Sequence, residues 1–295
     1  MEKKKLKIFD KIFCPIQHPI MWGHKNTNYL NLHNYSKHIE WIRESSINVG
    51  DIVFFTDFSL KEVLNINVQC LKIAWLIEPY EVWSDSYNFI KDNYDKFDII
   101  LTHQDSLLKI SDKFKILPIW CTWIRPEDQI ISKKTKTLSI IASNKKETTG
   151  QKLRHEIISL IKDKIDIDIF GGMTSCGVGY NPIVNKSEGL SEYMFSIIIE
   201  NVSSPYLFTE KIIDCLLTGT IPIYCGASKI NEFFNINGFI LFDDISNIND
   251  IISQLSEKKY YDSMQYIIEN FNIAKKYLTV EDYIYENILK KCQYI

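Results

Sequence analysis

Short apolar runs alternate with amphipathic segments along most of the chain. The runs are rich in β-branched and aromatic residues and are bounded by polar turns, a pattern that predicts strands. They cover 5–10, 51–55, 72–77, 97–103, 138–143, 165–170, 196–201, 221–226 and 239–244. The segments 35–46 and 86–97 predict helices, and the last part of the chain, about forty residues, predicts mostly helix.

This repeated β-α alternation predicts an α/β protein whose parallel sheets carry helices on both faces. The chain has 295 residues, which favours two domains. All six tryptophans precede residue 124, and nine of the eleven glycines lie at Gly150 or later. The polar segment 124–137 between these regions is typical of a linker. We therefore place a boundary near residue 130, between domains at 1–130 and 131–295, and expect ligands at the carboxyl ends of the strands.

Composition narrows the class of protein. Hydrophobic residues make up 45% and charged residues 24% of the chain, which is typical of a packed globular protein rather than a disordered one. A formal charge of −3 gives no global electrostatic reason to bind nucleic acid or an anionic membrane. The sequence has no secretory signal pattern and no apolar run long enough for a transmembrane helix. Seven scattered cysteines without metal-ligand spacing predict reduced thiols, no metal site and a cytoplasmic location.

The segment 197–228 is the most informative for chemistry. Its first apolar run ends at Glu200 and Asn201, two polar residues at the place where an α/β site is expected. A helix is then predicted to begin after Thr209 as N-cap and to end before Gly219 as C′ residue.

Lys211 breaks a local rule, because it lies in the first turn of that helix, where the macrodipole disfavours a cation. A bound anion would explain it, since the helix N-terminus offers backbone N–H groups and Lys211 adds a full charge. A nucleotide-sugar diphosphate is such an anion. The alternative is that Lys211 only pairs with Glu210 or another nearby acid.

Taken together, these residues resemble a known family. Glu200-Asn201, Thr209-Glu210-Lys211, Gly219 and the segment 221–226 are similar to the donor-binding signature of the α1,3/α1,4-fucosyltransferases of glycosyltransferase family 10. The resemblance extends upstream through 140–158, 167–172, 179–181 and 191–201. It covers roughly 138–245 well, and the first half only loosely through 72–83.

The resemblance implies a metal-independent, inverting transfer of fucose from GDP-fucose to a glycan hydroxyl. It implies a GT-B architecture, in which two Rossmann-like domains face each other across a cleft. The domain at 1–130 would bind the acceptor, and the domain at 131–295, with its terminal helices, would bind the nucleotide sugar. No cofactor besides the donor substrate is expected.

Site residues follow from the same resemblance. Arg154 and Lys211 would hold the diphosphate, and Glu78 would be the general base. Such a transfer needs a carboxylate that takes the acceptor proton and cations that stabilise the leaving diphosphate. The other residues expected at the donor are Ser143, Asn144, Glu200, Asn201, Tyr206, Thr209 and Glu210.

Two questions stay open at the level of sequence. Asp57 and Glu81 compete with Glu78 as the base. Leu207 stands where the family usually has Tyr, with Tyr206 one position earlier, so the donor sugar is not fixed. A GT-B transferase with another nucleotide sugar and a non-catalytic carbohydrate-binding relative are the alternatives, although Arg154 and Lys211 are hard to explain in the latter.

Overall fold

The structure is a computed structural model that describes residues 3–9, 36–43, 46–118, 121–171 and 180–291. Within these ranges the elements form two compact units. The first takes the described residues within 1–119, 205–207 and 279–295, and the second takes those within 120–204 and 208–278.

The first unit is built on a six-stranded sheet in the order β2-β1-β3-β4-β5-β6, with every pairing parallel. Its strands are β1 (Lys4–Phe9), β2 (Ile39–Ile42), β3 (Ile52–Thr56), β4 (Leu71–Trp75), β5 (Ile99–Thr102) and β6 (Phe114–Ile116). Helix α1 (Ser84–Asn93) connects β4 to β5, and α7 (Val280–Ile284) with a π-helical turn at Tyr285–Leu289 belongs to the same unit.

The second unit is built on a five-stranded parallel sheet in the order β11-β10-β9-β7-β8. The strands are β7 (Lys136–Ala142), β8 (Asp168–Gly171), β9 (Tyr193–Ile199), β10 (Ile221–Cys225) and β11 (Ile240–Leu241). Its helices are α2 (Thr149–Ile161), α3 (Glu210–Leu217), α4 (Ile248–Ser253), α5 (Glu257–Asp262) and α6 (Met264–Ala274). None of the helices in the described ranges is long and apolar enough to cross a membrane.

Burial explains the continuous apolar runs. Every residue of β3 and β9 is buried, as expected for central strands of a parallel sheet covered on both faces. In the second unit Ile140, Ile197 and Ile223 from three neighbouring strands pack with Ile157 of α2. The carboxyl ends of β7 and β9 are therefore held on a rigid core.

The segment 35–46 was expected to be a helix, and that expectation is wrong. Its described part contains β2, which pairs in parallel with β1. Ile39 and Trp41 are buried while Glu40 between them is exposed, which is the two-residue period of a strand. The four-residue strand is too short for its period to be distinguished from helical spacing in the sequence. Strand β6 was not predicted, because only three residues pair with β5.

The units also divide the chain differently from the expected boundary near residue 130. Thr122 and Trp123 group with the second unit, where both donate hydrogen bonds to Asp214 Oδ1 of α3. The described residues from 279 onward group with the first unit, where Asp282 accepts hydrogen bonds from Ser36 Oγ and from backbone N–H groups of the segment before β2.

Candidate functional site

A half-open cavity lies at the carboxyl end of β7 and β9 in the second unit. Its lining carries more positive than negative charge. One lining side chain, Glu210, is acidic. The four cationic ones are Lys145, Arg154, Lys186 and Lys211. A cavity of this composition is suited to an anionic ligand.

The beginning of α3 is fixed by Glu200, the first residue after β9. Glu200 is 1% exposed, and its two carboxylate oxygens accept the Thr209 N–H at 3.0 Å and the Thr209 hydroxyl at 2.7 Å. Thr209 Oγ1 in turn accepts the Lys211 N–H, so Thr209 is the N-cap that the sequence predicted. Gly219 has φ +69° beyond the end of α3, which confirms it as the C′ residue. Glu200 thus fixes the start of α3, and the first two residues of that helix, Glu210 and Lys211, line the cavity.

Neighbouring acidic groups balance the positive charge of Lys211. Its Nζ lies 3.2 Å from Glu210 Oε1, 3.6 Å from Glu200 Oε2 and 3.0 Å from Thr209 Oγ1. Its side chain is 21% exposed and lines the cavity. Burial favours the neutral form of Glu210, but the charges of Lys211 and Lys186 outweigh burial and lower the pKa of Glu210. Lys211 therefore pairs with acids and faces the cavity at the same time.

Sequence reasoning missed Lys186, whose side chain is 9% exposed and forms ion pairs with two acids of α3. Its Nζ lies 2.9 Å from Asp214 Oδ2, 3.4 Å from Glu210 Oε1 and 4.5 Å above the centre of the Trp123 ring. Burial disfavours the charged form of Lys186, yet the charges of Asp214 and Glu210 raise its pKa. No local pattern marks Lys186, because its partners come from other elements. The buried Asp214 on the otherwise apolar face of α3 was the signal that could have indicated a cation.

Arg154 differs from the lysines in its partners. It is 6% exposed, and its Nε and Nη2 donate to the Ile199 carbonyl at 3.1 and 2.6 Å, with a further bond from Nη2 to Asn201 Oδ1 at 2.8 Å. These acceptors are neutral. Burial lowers the pKa of Arg154, and the charges of Glu200 and Glu210 oppose part of that shift. Because the hydrogen bonds of the guanidinium go to neutral oxygens, its charge can also attract an anion bound in the cavity.

A glycine allows this arrangement. A Cβ on Gly150 would lie 1.8 Å from the Glu200 carbonyl oxygen, so only glycine fits there. The Gly150 N–H donates to the Asn201 carbonyl at 2.9 Å, and α2 begins directly against the end of β9. Arg154, one turn further along α2, is thereby brought to the end of that strand.

The remaining donor-site predictions have different outcomes. Ser143 follows β7 and lines the cavity, while Asn144 beside it is exposed and is absent from the described lining. Tyr206 belongs to the stretch 205–207, which groups with the first unit. Leu207 in the same stretch is buried at 2% exposure. Tyr206 thus stays a prediction.

The candidate bases lie in the first unit, and they differ in exposure. Asp57 follows β3, is 2% exposed and accepts the Ile77 N–H with Oδ1; burial raises its pKa well above the ordinary range. Glu81 is exposed in the turn beyond Pro79. Glu78 is partly buried just past the end of β4. Of the three, Glu78 combines a place at the carboxyl edge of the sheet with access to solvent.

Comparison with known proteins identifies a family whose sequence model matches this chain. The model of glycosyltransferase family 10 (fucosyltransferase), C-terminal region, matches residues 131–295. A curated relative, alpha-(1,3)-fucosyltransferase FucT of Helicobacter pylori, is 38% identical over 85 residues. That match covers 29% of this chain and 18% of the relative's length. The family match therefore includes the part of the chain that carries most of the cavity lining.

Solved structures resemble a larger part of the chain. The crystal structure of alpha1,3-fucosyltransferase with GDP-fucose aligns at a TM-score of 0.52 with 20% identity, over 85% of this chain and 82% of that chain. The crystal structure of TarM aligns at 0.55 with 14% identity, over 83% and 54%. At these identities the likeness shows the fold. The predicted α/β class of GT-B type is confirmed.

Proposed function

Since this chain belongs to glycosyltransferase family 10 (fucosyltransferase), we propose that it transfers fucose from GDP-fucose to a glycan hydroxyl. One observation carries the proposal. Arg154, buried and bonded to neutral oxygens, lies on the wall of a cavity that has four cationic side chains and one acid. A nucleotide diphosphate is the anion that a glycosyltransferase of this family would bind there.

In this proposal the second unit binds and activates the donor. Arg154 and Lys211 bind the diphosphate and stabilise the negative charge that develops as the sugar–phosphate bond breaks. Arg154 suits bidentate phosphate binding, and Lys211 acts as a point charge. Glu210, held by Lys186 and Lys211, stays ionised and is available to donor hydroxyls, as are Asn201 and Ser143. Glu200 and Thr209 support the site through the start of α3.

The first unit supplies the acceptor side of the reaction. Glu78 takes the proton of the acceptor hydroxyl as that oxygen attacks the anomeric carbon of fucose. Attack from the face opposite the diphosphate inverts the anomeric configuration in a single displacement. The lysines and Arg154 provide the charge that a metal ion supplies in other transferases, so we expect the reaction to proceed without a metal.

Nucleotide binding is the first test. Melting temperatures are measured with GDP, UDP and CDP at millimolar concentration in the presence of EDTA, because a ligand that binds the folded state raises the melting temperature by mass action. We expect GDP to stabilise the protein and Lys211→Ala to lose the shift. Lys258→Ala, at a lysine whose side chain is 83% exposed, is the control. A shift with UDP and none with GDP contradicts the donor assignment.

Transfer itself is tested with GDP-fucose and a glycan array. NMR of the isolated product gives the anomeric configuration, and we expect it to be opposite to that of the donor. A product with retained configuration contradicts the single displacement.

A second candidate function is supported by Leu207. The family usually has Tyr at that position, and here the residue is a buried Leu. A donor sugar other than fucose is the corresponding alternative. A panel of GDP-sugars in the transfer assay distinguishes the two, because the alternative predicts turnover with another sugar and none with fucose.

A further inference from the structure

Three buried polar side chains of the first unit converge on the peptide backbone at Ile77 and Glu78. Asp57 Oδ1, after β3, accepts the Ile77 N–H at 3.1 Å. The Tyr87 hydroxyl, on α1, donates to the Glu78 carbonyl at 2.7 Å. His103, after β5, contacts the Tyr87 hydroxyl through Nε2 at 3.2 Å. The residues come from three different elements and are 2%, 1% and 0% exposed, respectively.

These side chains provide hydrogen bonds to the backbone beyond the end of β4, where the hydrogen bonds between neighbouring strands stop. Strand β4 ends at Trp75, and the Leu76 N–H still donates to the Leu101 carbonyl at 2.9 Å. The Ile77 N–H and the Glu78 carbonyl lie beyond that last ladder bond. Buried backbone groups need partners, and here side chains provide them. The position of the Glu78 backbone thus depends on Asp57 and Tyr87.

The hydrogen bonds of Tyr87 indicate which nitrogen of His103 carries a proton. The single hydroxyl hydrogen of Tyr87 goes to the Glu78 carbonyl, so the bond between Tyr87 and His103 needs a proton on Nε2. The other ring nitrogen, Nδ1, is buried without a hydrogen-bond partner among the described residues, which favours its unprotonated form. Burial lowers the pKa of His103 to about 4, in agreement with a neutral ring. A neutral His103 therefore orients the Tyr87 hydroxyl toward Glu78.

Asp57 carries backbone strain at the same place. Its φ is +31°, a left-handed conformation that Asp and Asn tolerate better than other non-glycine residues. Burial raises the pKa of its carboxyl, and Oδ2 is buried without a partner in the described part of the chain. Strain of this kind persists where the surroundings over-determine it, commonly at functional sites. The group that Asp57 contributes is the acceptor oxygen Oδ1 for the Ile77 N–H, and asparagine also has an acceptor oxygen there.

We propose that Asp57, Tyr87 and His103 are positioning residues that fix the backbone of Glu78 and thereby orient the base toward the acceptor hydroxyl. This inference rests on the proposed function, in which Glu78 is the base. It also gives Asp57 a role as support for Glu78, in place of its role as a competing base. Small displacements of a reacting group are costly, since a shift of about 1 Å can reduce rate about 10²-fold.

Amide hydrogen exchange tests the positioning role of Asp57 without an acceptor glycan. The Ile77 amide of the ¹⁵N-labelled protein is followed by NMR in Asp57→Asn and Asp57→Gly. Asn keeps the acceptor oxygen, whereas Gly removes it and tolerates the positive φ. We expect exchange to stay near the wild-type rate in Asp57→Asn and to accelerate about tenfold in Asp57→Gly, as for loss of one hydrogen bond. Equal exchange rates in the two variants overturn the role of Asp57.

Kinetic coupling tests the link to the base. Tyr87→Phe removes one hydroxyl, and we expect kcat to fall about tenfold while the KM for GDP-fucose stays unchanged. In the Glu78→Gln background the same change should have little further effect on the residual turnover, because Tyr87 acts through Glu78. Tyr94→Phe, at a ring that packs on Phe114 in the same unit, is the matched control.

The outcomes separate the two hypotheses. Tyr87→Phe is made in the wild type and in Glu78→Gln. If it lowers turnover equally in both enzymes, or in neither, the positioning role of Tyr87 is overturned while the base assignment stands. If Glu78→Gln alone retains normal turnover, the base assignment in the proposed function fails. In that case Asp57→Asn is assayed. Normal turnover of this variant shows that Asp57 is not the base either. Loss of turnover makes Asp57 the base and overturns the proposal that it positions Glu78.

Discussion

The ammonium of Lys186 lies 2.9 Å from the carboxylate of Asp214, whose side chain is fully buried. Asp214 also accepts the Thr122 hydroxyl at 2.7 Å and the Trp123 N–H at 2.8 Å. The pair connects the short helical turn at Lys186–Gly189 to α3 and to the segment before β7. Since Lys186 also contacts Glu210, this ion pair supports one wall of the cavity.

Removal of Lys186 should therefore destabilise the protein. Lys186→Met leaves Asp214 buried without its cation, and loss of one partner of a buried pair costs about 3 kcal/mol or more. We expect a clear drop in melting temperature, measured by calorimetry, together with weaker GDP binding because Glu210 loses one of its two lysines.

The double variant Lys186→Met/Asp214→Asn is the control for charge. It removes both charges and keeps an acceptor for Thr122 and Trp123, so we expect part of the stability to return. If the single variant is as stable as the wild type, the pair does not support the fold. Equal loss in both variants would assign the effect to packing of the Lys186 side chain.

Lys211 should matter for turnover more than for folding. Lys211→Ala removes a cation that faces the cavity, and loss of a preorganised charge usually lowers turnover by about 10²-fold or more. The side chain lies outside the apolar face of α3, and Glu200 still holds Thr209. We expect a far-ultraviolet circular dichroism spectrum like that of the wild type, with Lys229→Ala as the control at an exposed lysine. An unfolded variant would show that Lys211 is structural.

Some of these structural features could be predicted from the sequence alone. The strands β3 and β9 were predicted because a central strand of a parallel sheet is apolar on both faces. The N-cap Thr209 and the C′ residue Gly219 were predicted because caps are local signals. The pattern at 35–46 predicts a helix where β2 lies, since Ile39 and Trp41 alternate over too few residues to fix a period.

The missed features depend on contacts between residues distant in sequence. Lys186 is defined by Asp214, 28 positions away. Arg154 was predicted only through the family resemblance, and its burial follows from Gly150, which lets α2 approach β9. The segment after residue 279 packs with the first unit through buried side chains, and no local composition indicates that. Distant polar pairs of this kind leave no periodic signal in a single sequence.

Glu78→Gln should separate chemistry from binding. Gln keeps the size and polarity of the side chain but cannot take the acceptor proton, so we expect transfer to fall to a small residual rate. GDP binding by the second unit should be unchanged, and this is checked by calorimetric titration. Glu81→Gln, at the exposed carboxylate three positions later, is the matched control. Normal turnover of Glu78→Gln, with loss in Glu81→Gln, would move the base to Glu81.

Gly150→Ala should disturb the cavity although no functional side chain is changed. The added Cβ would overlap the Glu200 carbonyl, and relief of the overlap requires α2 to move away from β9. Overpacking of this kind costs about 1–3 kcal/mol, and displacement of Arg154 should weaken GDP binding. Ser159→Ala, at an exposed position of the same helix, should change neither. Unchanged GDP affinity of Gly150→Ala would show that the end of β9 adapts.

Stability of the first unit should fall as pH rises through the neutral range, because of Glu281. This residue is 2% exposed, Oε1 accepts the Trp41 indole N–H at 3.3 Å, and burial raises the pKa of its carboxyl to about 8. Between its ordinary pKa of 4.5 and 8 the folded state holds a proton that the unfolded state has released. The proton therefore stabilises the folded protein fully below pH 4.5, and this contribution is lost as pH rises to 8.

Glu281→Gln tests this assignment, since Gln resembles the protonated acid and keeps an acceptor for Trp41. We expect melting temperatures of wild type and variant to agree near pH 5 and the variant to be the more stable one at pH 9. Glu286→Gln, at a carboxylate whose side chain is 43% exposed, controls for the general effect of removing a negative charge. A wild-type protein that loses no more stability than Glu281→Gln between pH 5 and 9 would show that Glu281 is ionised in the folded state, with its charge balanced by its surroundings.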